Sequence, residues 1–249
     1  MKGSIFLRTQ QYPAYQQLYF GAILAAIAGG VDAYTYLEHG GVFAGLQTGN
    51  LILMGVSLNQ GEIGKVGRYA LAIFAFILGT ILVKVVQHFM HQKPMRQAFL
   101  VLIYELILMI IVILMGVGAS NVLIIVLLAM TMAGQLQQFR QLEGNPFTSL
   151  MMTGNIRNLA DNLYELLIKQ NRGVQSRLKS IGIVIGGFLA GVVLTALAVS
   201  WIQTAALIVP VLLVIGGMVY LNRHRYDGVV QMDSETEELT RASRMSRRH

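Results

Sequence analysis

The chain has 249 residues, 55% of them hydrophobic and only 12% charged, with a formal net charge of +7. A soluble domain carries about 25% charged residues, so this balance excludes an ordinary soluble enzyme and implies an integral membrane protein with several transmembrane helices. Cysteine is absent, which removes disulfides, thiolate nucleophiles and thiolate-ligated zinc or iron–sulfur centres.

Residues 1–17 carry Lys2 and Arg8 but lack the short apolar core and small-residue cleavage site of a signal peptide. They read as a cytoplasmic N-terminal segment, and the first apolar run as a retained signal anchor. A bilayer core ~30 Å thick needs ~20 apolar residues in a helix. Five runs meet or approach this: 18–37, 69–90, 98–118, 180–200 and 202–221. A sixth, 121–136, is apolar until Gln135-Leu136-Gln137-Gln138.

Two further runs are interrupted. The run 41–58 contains Thr48-Gly49-Asn50. The run 147–168 contains Thr153-Gly154-Asn155, followed by Arg157, Asn158, Asp161, Asn162 and Glu165. Each mid-membrane charge costs ~2.5–3.5 kcal/mol even on the mildest scale. Ile156, Leu159, Leu163, Leu166 and Leu167 nevertheless share one helical face, which predicts an amphipathic, half-submerged helix. Pro210 is expected to kink the last helix. Gly182, Gly186, Gly187 and Gly191 give two small-xxx-small spacings suited to close helix packing. Residues 222–249 are polar and of mixed charge, and are expected to form a disordered cytoplasmic tail whose arginines touch anionic lipid.

The sequence repeats itself. Gly29 matches Gly134, Leu37-Glu38 matches Leu142-Glu143, and Thr48-Gly49-Asn50 matches Thr153-Gly154-Asn155, all 105 residues apart. Phe76-x-x-Gly79 matches Phe188-x-x-Gly191 after a seven-residue insertion. Each half, 18–118 and 119–221, then reads as spanning helix, interrupted segment, spanning helix, spanning helix. If the interrupted segments span, the repeats are parallel. If they are re-entrant, each half crosses three times and the second half is inverted, as in many transporters. With a cytoplasmic N-terminus, six spans leave only Lys65 and Arg68 outside, whereas eight spans move Lys93, Arg96 and Arg140 outside. The positive-inside rule therefore favours an all-α polytopic bundle of about six spans, in two inverted three-span repeats.

The motifs Gly29-x-x-Asp32-Ala33, Gly40-Gly41, Thr48-Gly49-Asn50 and Phe76-x-x-Gly79 resemble the YoaK family of bacterial inner-membrane proteins. The resemblance covers residues 18–221. It implies a six-span protein of unknown biochemical role in the inner membrane, and carries over no catalytic residue. Where that family leads one to expect a Gln-Asn-Ala run, this chain has Gln135-Leu136-Gln137-Gln138.

Thr48, Gly49, Asn50, Thr153, Gly154 and Asn155 are the first candidates for a solute site. Asn or Thr can cap free amides at a helix start, and a helix starting inside a membrane presents those amides and a partial positive charge. Two such starts entering from opposite faces would meet near the midplane; the bland reading is two turns packed together. Asp32 reads as a proton or cation ligand, as a cap on the other half's re-entrant segment, or as an acid at a wet helix mouth. Gln135, Gln138, Arg140 and Arg157 would line a cytoplasmic vestibule attracting anions, against ordinary helix-end solvation, and Arg157 can pair with Asp161 four residues on. Lys84 and Glu105 lie about ten residues either side of the turn at Pro94, which predicts a buried ion pair.

No metal cluster, cofactor motif or acid–base–nucleophile set appears, so no enzyme activity is expected. The reading is a transporter or channel-like facilitator for a small polar or anionic solute. The partners expected are the lipid bilayer, that solute and, in a homo-oligomer, other copies of the chain, not nucleic acid. The alternative is a membrane scaffold, sensor or assembly factor whose polar midplane is structural.

Overall fold

The structure, a computed structural model, describes residues 12–90, 93–116, 118 and 120–224. The expectations for residues 1–11 and for the tail beyond His224 lie outside the described residues. Among the described residues eight α-helices follow one another: α1 (Leu18–Glu38), α2 (Gln47–Asn59), α3 (Ile63–Phe89), α4 (Pro94–Met115), α5 (Asn121–Gln138), α6 (Met152–Leu167), α7 (Gln175–Ile202) and α8 (Ile208–Arg223). A short antiparallel ribbon, β1 (Gln141–Leu142) with β2 (Asn145–Pro146), sits between α5 and α6.

Helices α1, α3, α4 and α5 are long and apolar enough to cross a membrane, and so is the stretch Arg172–Arg223. That stretch is 52 residues long, more than twice what a bilayer needs, and it doubles back. A 3-10 turn at Gln203–Leu207, opened by Gln203 at φ +46°, separates α7 from α8. The Tyr34 hydroxyl donates to the Thr204 carbonyl (2.9 Å), and the Tyr220 hydroxyl to Gln17 Oε1 (2.5 Å). These bonds pin the two ends of α8 to opposite ends of α1. The result is a polytopic helical bundle with five segments long and apolar enough to cross a membrane, the last of them folded back on itself as α7 and α8.

Helices α3, α4 and α7 begin several residues ahead of the apolar runs predicted for them, over polar residues that keep helical hydrogen bonds. Helix α4 starts on Pro94, whose missing amide costs nothing in a first turn, and stops at Gly116, with φ +66°. Pro210 does not kink the last helix. It is the third residue of α8, within the first turn, where no intrahelical amide bond is lost.

Sequence neighbours are not the main packing partners. Helix α1 packs chiefly on α7 and then on α8, while α3 packs chiefly on α5, which also carries α4. The α1–α7 contact is backbone on backbone: Gly187 abuts the Ala22 carbonyl, Gly191 the Ala26 carbonyl, and Gly29 the Phe188 carbonyl. At the α3–α5 contact Gly79 lies against Met130 in the same manner. Only one of the two small-xxx-small spacings is used, because nothing approaches Gly182 or Gly186 within 4 Å. The core gathers Leu24, Ile27 and Val31 of α1 with Leu102, Met109, Leu128 and Met132. The outer face of α3 presents Phe74, Ile77, Leu78 and Ile81, an apolar surface suited to lipid rather than water.

Helices α1 and α5 run antiparallel. His39, just past α1, places Nδ1 2.9 Å from Asn121 Oδ1 at the start of α5, and Gln135 near the end of α5 donates to the Leu24 carbonyl (2.9 Å). Each half holds four helices whose starts correspond: α2 and α6 start at Gln47 and Met152, α3 and α7 at Ile63 and Gln175.

Candidate functional site

Two extended lead-ins, before α2 and before α6, penetrate the bundle and touch. A methyl group at Gly45 would overlap Leu150 Cδ1 and Cδ2. Gly45 donates to Asp32 Oδ1 (2.6 Å), four residues past the middle of α1. Ser149 Oγ receives the Gln135 amide (2.8 Å), which also reaches the carbonyl of Leu24, four residues before that middle. The lead-ins therefore meet about halfway along α1. From there α2 runs toward the α1 C-terminal end, where Arg68 of α3 lies against Gly40. Helix α6 runs toward the α1 N-terminal end: α7, which follows it, starts there, and Ser180 of α7 bonds Glu143, whose amide donates to the Gln16 carbonyl.

Neither Thr-Gly-Asn motif caps its helix. The residues preceding the helices are Leu46 and Met151, and the motifs lie in the first turns. The two asparagines behave differently. Asn50 is fully buried; its Oδ1 accepts the Phe43 amide (3.0 Å), and its Nδ2 donates to the Phe43 carbonyl (2.8 Å) and to Gln47 Oε1 (2.8 Å). It clips the lead-in to α2. Asn155 is half-buried, with only a 3.7 Å contact from Nδ2 to Met152 Sδ. Thr48, Thr153 and Gly154 are exposed, and Gly49 is half-buried beneath Phe43.

Asp32 is buried rather than at a wet mouth. It serves its own half, not the other: besides the Gly45 amide, its carboxylate has the amides of Ala44 and Leu46 beside it. Thr35, one turn on, takes the Ala44 amide at 3.2 Å. An acid of the chain thus already fills the amide cluster ahead of α2. The repeat partner of Asp32 is Gln137, which turns away to bond Gln87 Oε1 (2.9 Å), so the α6 lead-in has no internal acid.

The glutamine cluster divides. Gln135 is fully buried and faces the lead-ins, with Oε1 unpartnered. Gln137 and Gln138 instead stitch α5 to Gln87 of α3. Arg140 and Arg157 are exposed, and the Arg157–Asp161 pair forms only loosely, at 3.9 Å with both side chains in the open. The predicted Lys84–Glu105 ion pair does not form. Lys84 is exposed on α3, while Glu105 is fully buried in α4 with neither oxygen hydrogen-bonded. Equal depth placed the two at one level, but α3 and α4 barely touch because α5 lies between their packing faces.

Sequence reasoning left out two side chains that shape this region, Gln87 and Thr35. Gln87 bridges to both Gln137 and Gln138. Thr35 shares a face with Asp32, a spacing of three that was there to be read. His39 is buried, and burial lowers its imidazole below the usual range; the Asn121 bond and the nearby Glu38 oppose that. Among the described residues no group of three or more His, Cys, Asp or Glu side chains is arranged to hold a metal.

A family model described as a protein of unknown function, DUF1275, matches residues 20–220. No curated protein and no solved structure matches the chain.

Proposed function

The chain belongs to the DUF1275 family, and we propose that it is a transporter or channel-like facilitator for a small polar or anionic solute, with α2 and α6 as re-entrant half-helices of two inverted three-span repeats. The observation that carries this reading is the meeting of Gly45 with Leu150 halfway along α1. Irregular backbone at membrane depth is tolerated only against protein or a water-lined path. Broken helices meeting at mid-depth between inverted repeats are a transporter architecture. The antiparallel course of α1 and α5, the repeat-related first helices, supports the inversion.

The halves have divided the labour. With Asp32 occupying the amides ahead of α2, that helix start is closed to anions. The start of α6 has no such acid, exposes Thr153 and Gly154, and carries Arg157 one turn on. Its partial positive charge and the guanidinium make it the solute-facing end, with Gln135 behind it. The distribution of basic residues supports a multi-pass protein of the bacterial inner membrane with both termini cytoplasmic. Lys93, Arg96, Arg140, Lys169 and Arg172 flank one end of the bundle, while Lys65 and Arg68 flank the other. One observation favours the alternative of a scaffold, sensor or assembly factor: Asp32 and Asn50 are consumed by structural hydrogen bonds.

Swelling of proteoliposomes in gradients of urea, glycerol, acetate and nitrate, followed by light scattering, separates the two. Transport predicts swelling faster than in protein-free vesicles for at least one solute, and a several-fold slowing of anion-driven swelling by Arg157→Gln. Rates equal to those of empty vesicles for every solute favour the scaffold.

A further inference from the structure

Glu105 stands apart from every polar group described so far. It lies near the middle of α4, which runs from Pro94 to Met115. It is fully buried, and neither Oε1 nor Oε2 has a hydrogen-bond partner. The helix face around it is apolar, with Val101, Leu102, Met109 and Val112 buried beside it; Gln97, more than two turns away on that face, donates to the Met90 carbonyl. No counter-charge faces it from the elements packed on α4, among the described residues. Helix α5 has no titratable side chain, and neither does the turn Gln203–Leu207. On α8 the titratable groups are Tyr220 and Arg223, in the last turn at the far end from the α7–α8 turn. Lys84 of α3 points outward. The adjoining Tyr104 spends its hydroxyl on the Met130 carbonyl (3.1 Å).

An ionised carboxylate so placed is prohibitively costly, so the closed bundle must hold the neutral acid. Even the neutral acid forgoes two hydrogen-bonding oxygens, and an apolar side chain of similar volume would serve the packing better. The repeat does not require an acid there either: the matching position on α8, 112 residues on, is Gly217. Packing therefore gives no reason for Glu105.

We propose that Glu105 is a proton-binding site in the bundle core, neutral while the helices close around it and exchanging its proton with water when they part. Resting on the transport reading above, it is the group that couples solute movement to protons. The step is a plain transfer: the carboxyl O–H bond breaks, water takes the proton, and the carboxylate remains until the next proton arrives.

Infrared spectroscopy of the full chain in phosphatidylethanolamine–phosphatidylglycerol vesicles at pH 7 tests this. The wild type minus Glu105→Gln difference should contain a protonated-carboxyl C=O band that shifts on transfer to heavy water. Absence of the band, or a band that never shifts, overturns the proposal. Should Glu105→Gln fail to fold, dicyclohexylcarbodiimide on the wild type gives the same answer. The acid proton moves to a carbodiimide nitrogen as the carboxyl oxygen bonds the central carbon, and an acyl shift fixes the adduct. Peptide mapping should find it on Glu105 at pH 7 and not on the exposed Asp161; an unmodified Glu105 overturns the proposal. Neither measurement involves solute flux, so failure here is distinct from failure of the transport reading.

Discussion

Gly191→Leu should abolish folding, and Gly191→Ala should lower stability by about 1–3 kcal/mol or more, the range for overpacking a dense contact. A Cβ at Gly191 would drive into the Ala26 carbonyl oxygen, carbon and Cα, all backbone atoms that cannot swing aside. The site is the centre of the α1–α7 contact, the most extensive of those that join the two halves. Within a bilayer, helices gain little from hiding apolar surface and depend on such close packing. Gly182→Ala and Gly186→Ala on the same helix meet nothing within 4 Å and should be neutral or stabilising by up to about 1 kcal/mol. Unfolding in mixed micelles measures all four. Equal effects at 182, 186 and 191 would contradict the described packing.

The second large effect separates the two copies of Thr-Gly-Asn. Asn50→Ala should cost about 2–4 kcal/mol, since it deletes three hydrogen bonds in a fully buried site and orphans both polar groups of Phe43. Asn155→Ala should change stability by less than about 0.5 kcal/mol, because the polar contact its side chain makes among the described residues is a weak 3.7 Å approach to sulfur. Any flux defect of the Asn155 variant would then report on solute handling, whereas a defect of the Asn50 variant would follow from a loosened lead-in. Equal destabilisation would show that the motifs play one structural part in both halves.

Much of this was legible in the residues. Hydropathy marks each long helix, and the repeated Thr-Gly-Asn falls where two short helices begin. The offset between Thr48 and Thr153 is also the offset between the starts of α2 and α6. What escaped the sequence is rotation and partnership. The depths of Lys84 and Glu105 are readable from their distance to Pro94, but which face each shows its neighbours depends on α3 packing against α5, a contact between halves. Asp32 illustrates the same limit. Its position near a helix end suggested water, yet the lead-in of α2 folds back over it, and an acid that looked like a ligand is a cap. Pro210 was misjudged for a local reason, since the last helix starts at Ile208 rather than at the beginning of the apolar run 202–221, which moves the proline into a first turn.

The central claim is the inversion of the two halves, and the absence of native cysteine makes it directly measurable. Gly64, in the first turn of α3, and Asn171, just ahead of α7, are both exposed and repeat-related in position. Single cysteines at each, probed in intact cells with a membrane-impermeant maleimide, report the side on which each repeat begins its third helix. Inverted repeats predict that Gly64→Cys labels from outside and Asn171→Cys labels only after lysis. Identical behaviour of the two would mean parallel repeats with spanning α2 and α6, and would contradict the paired re-entrant site.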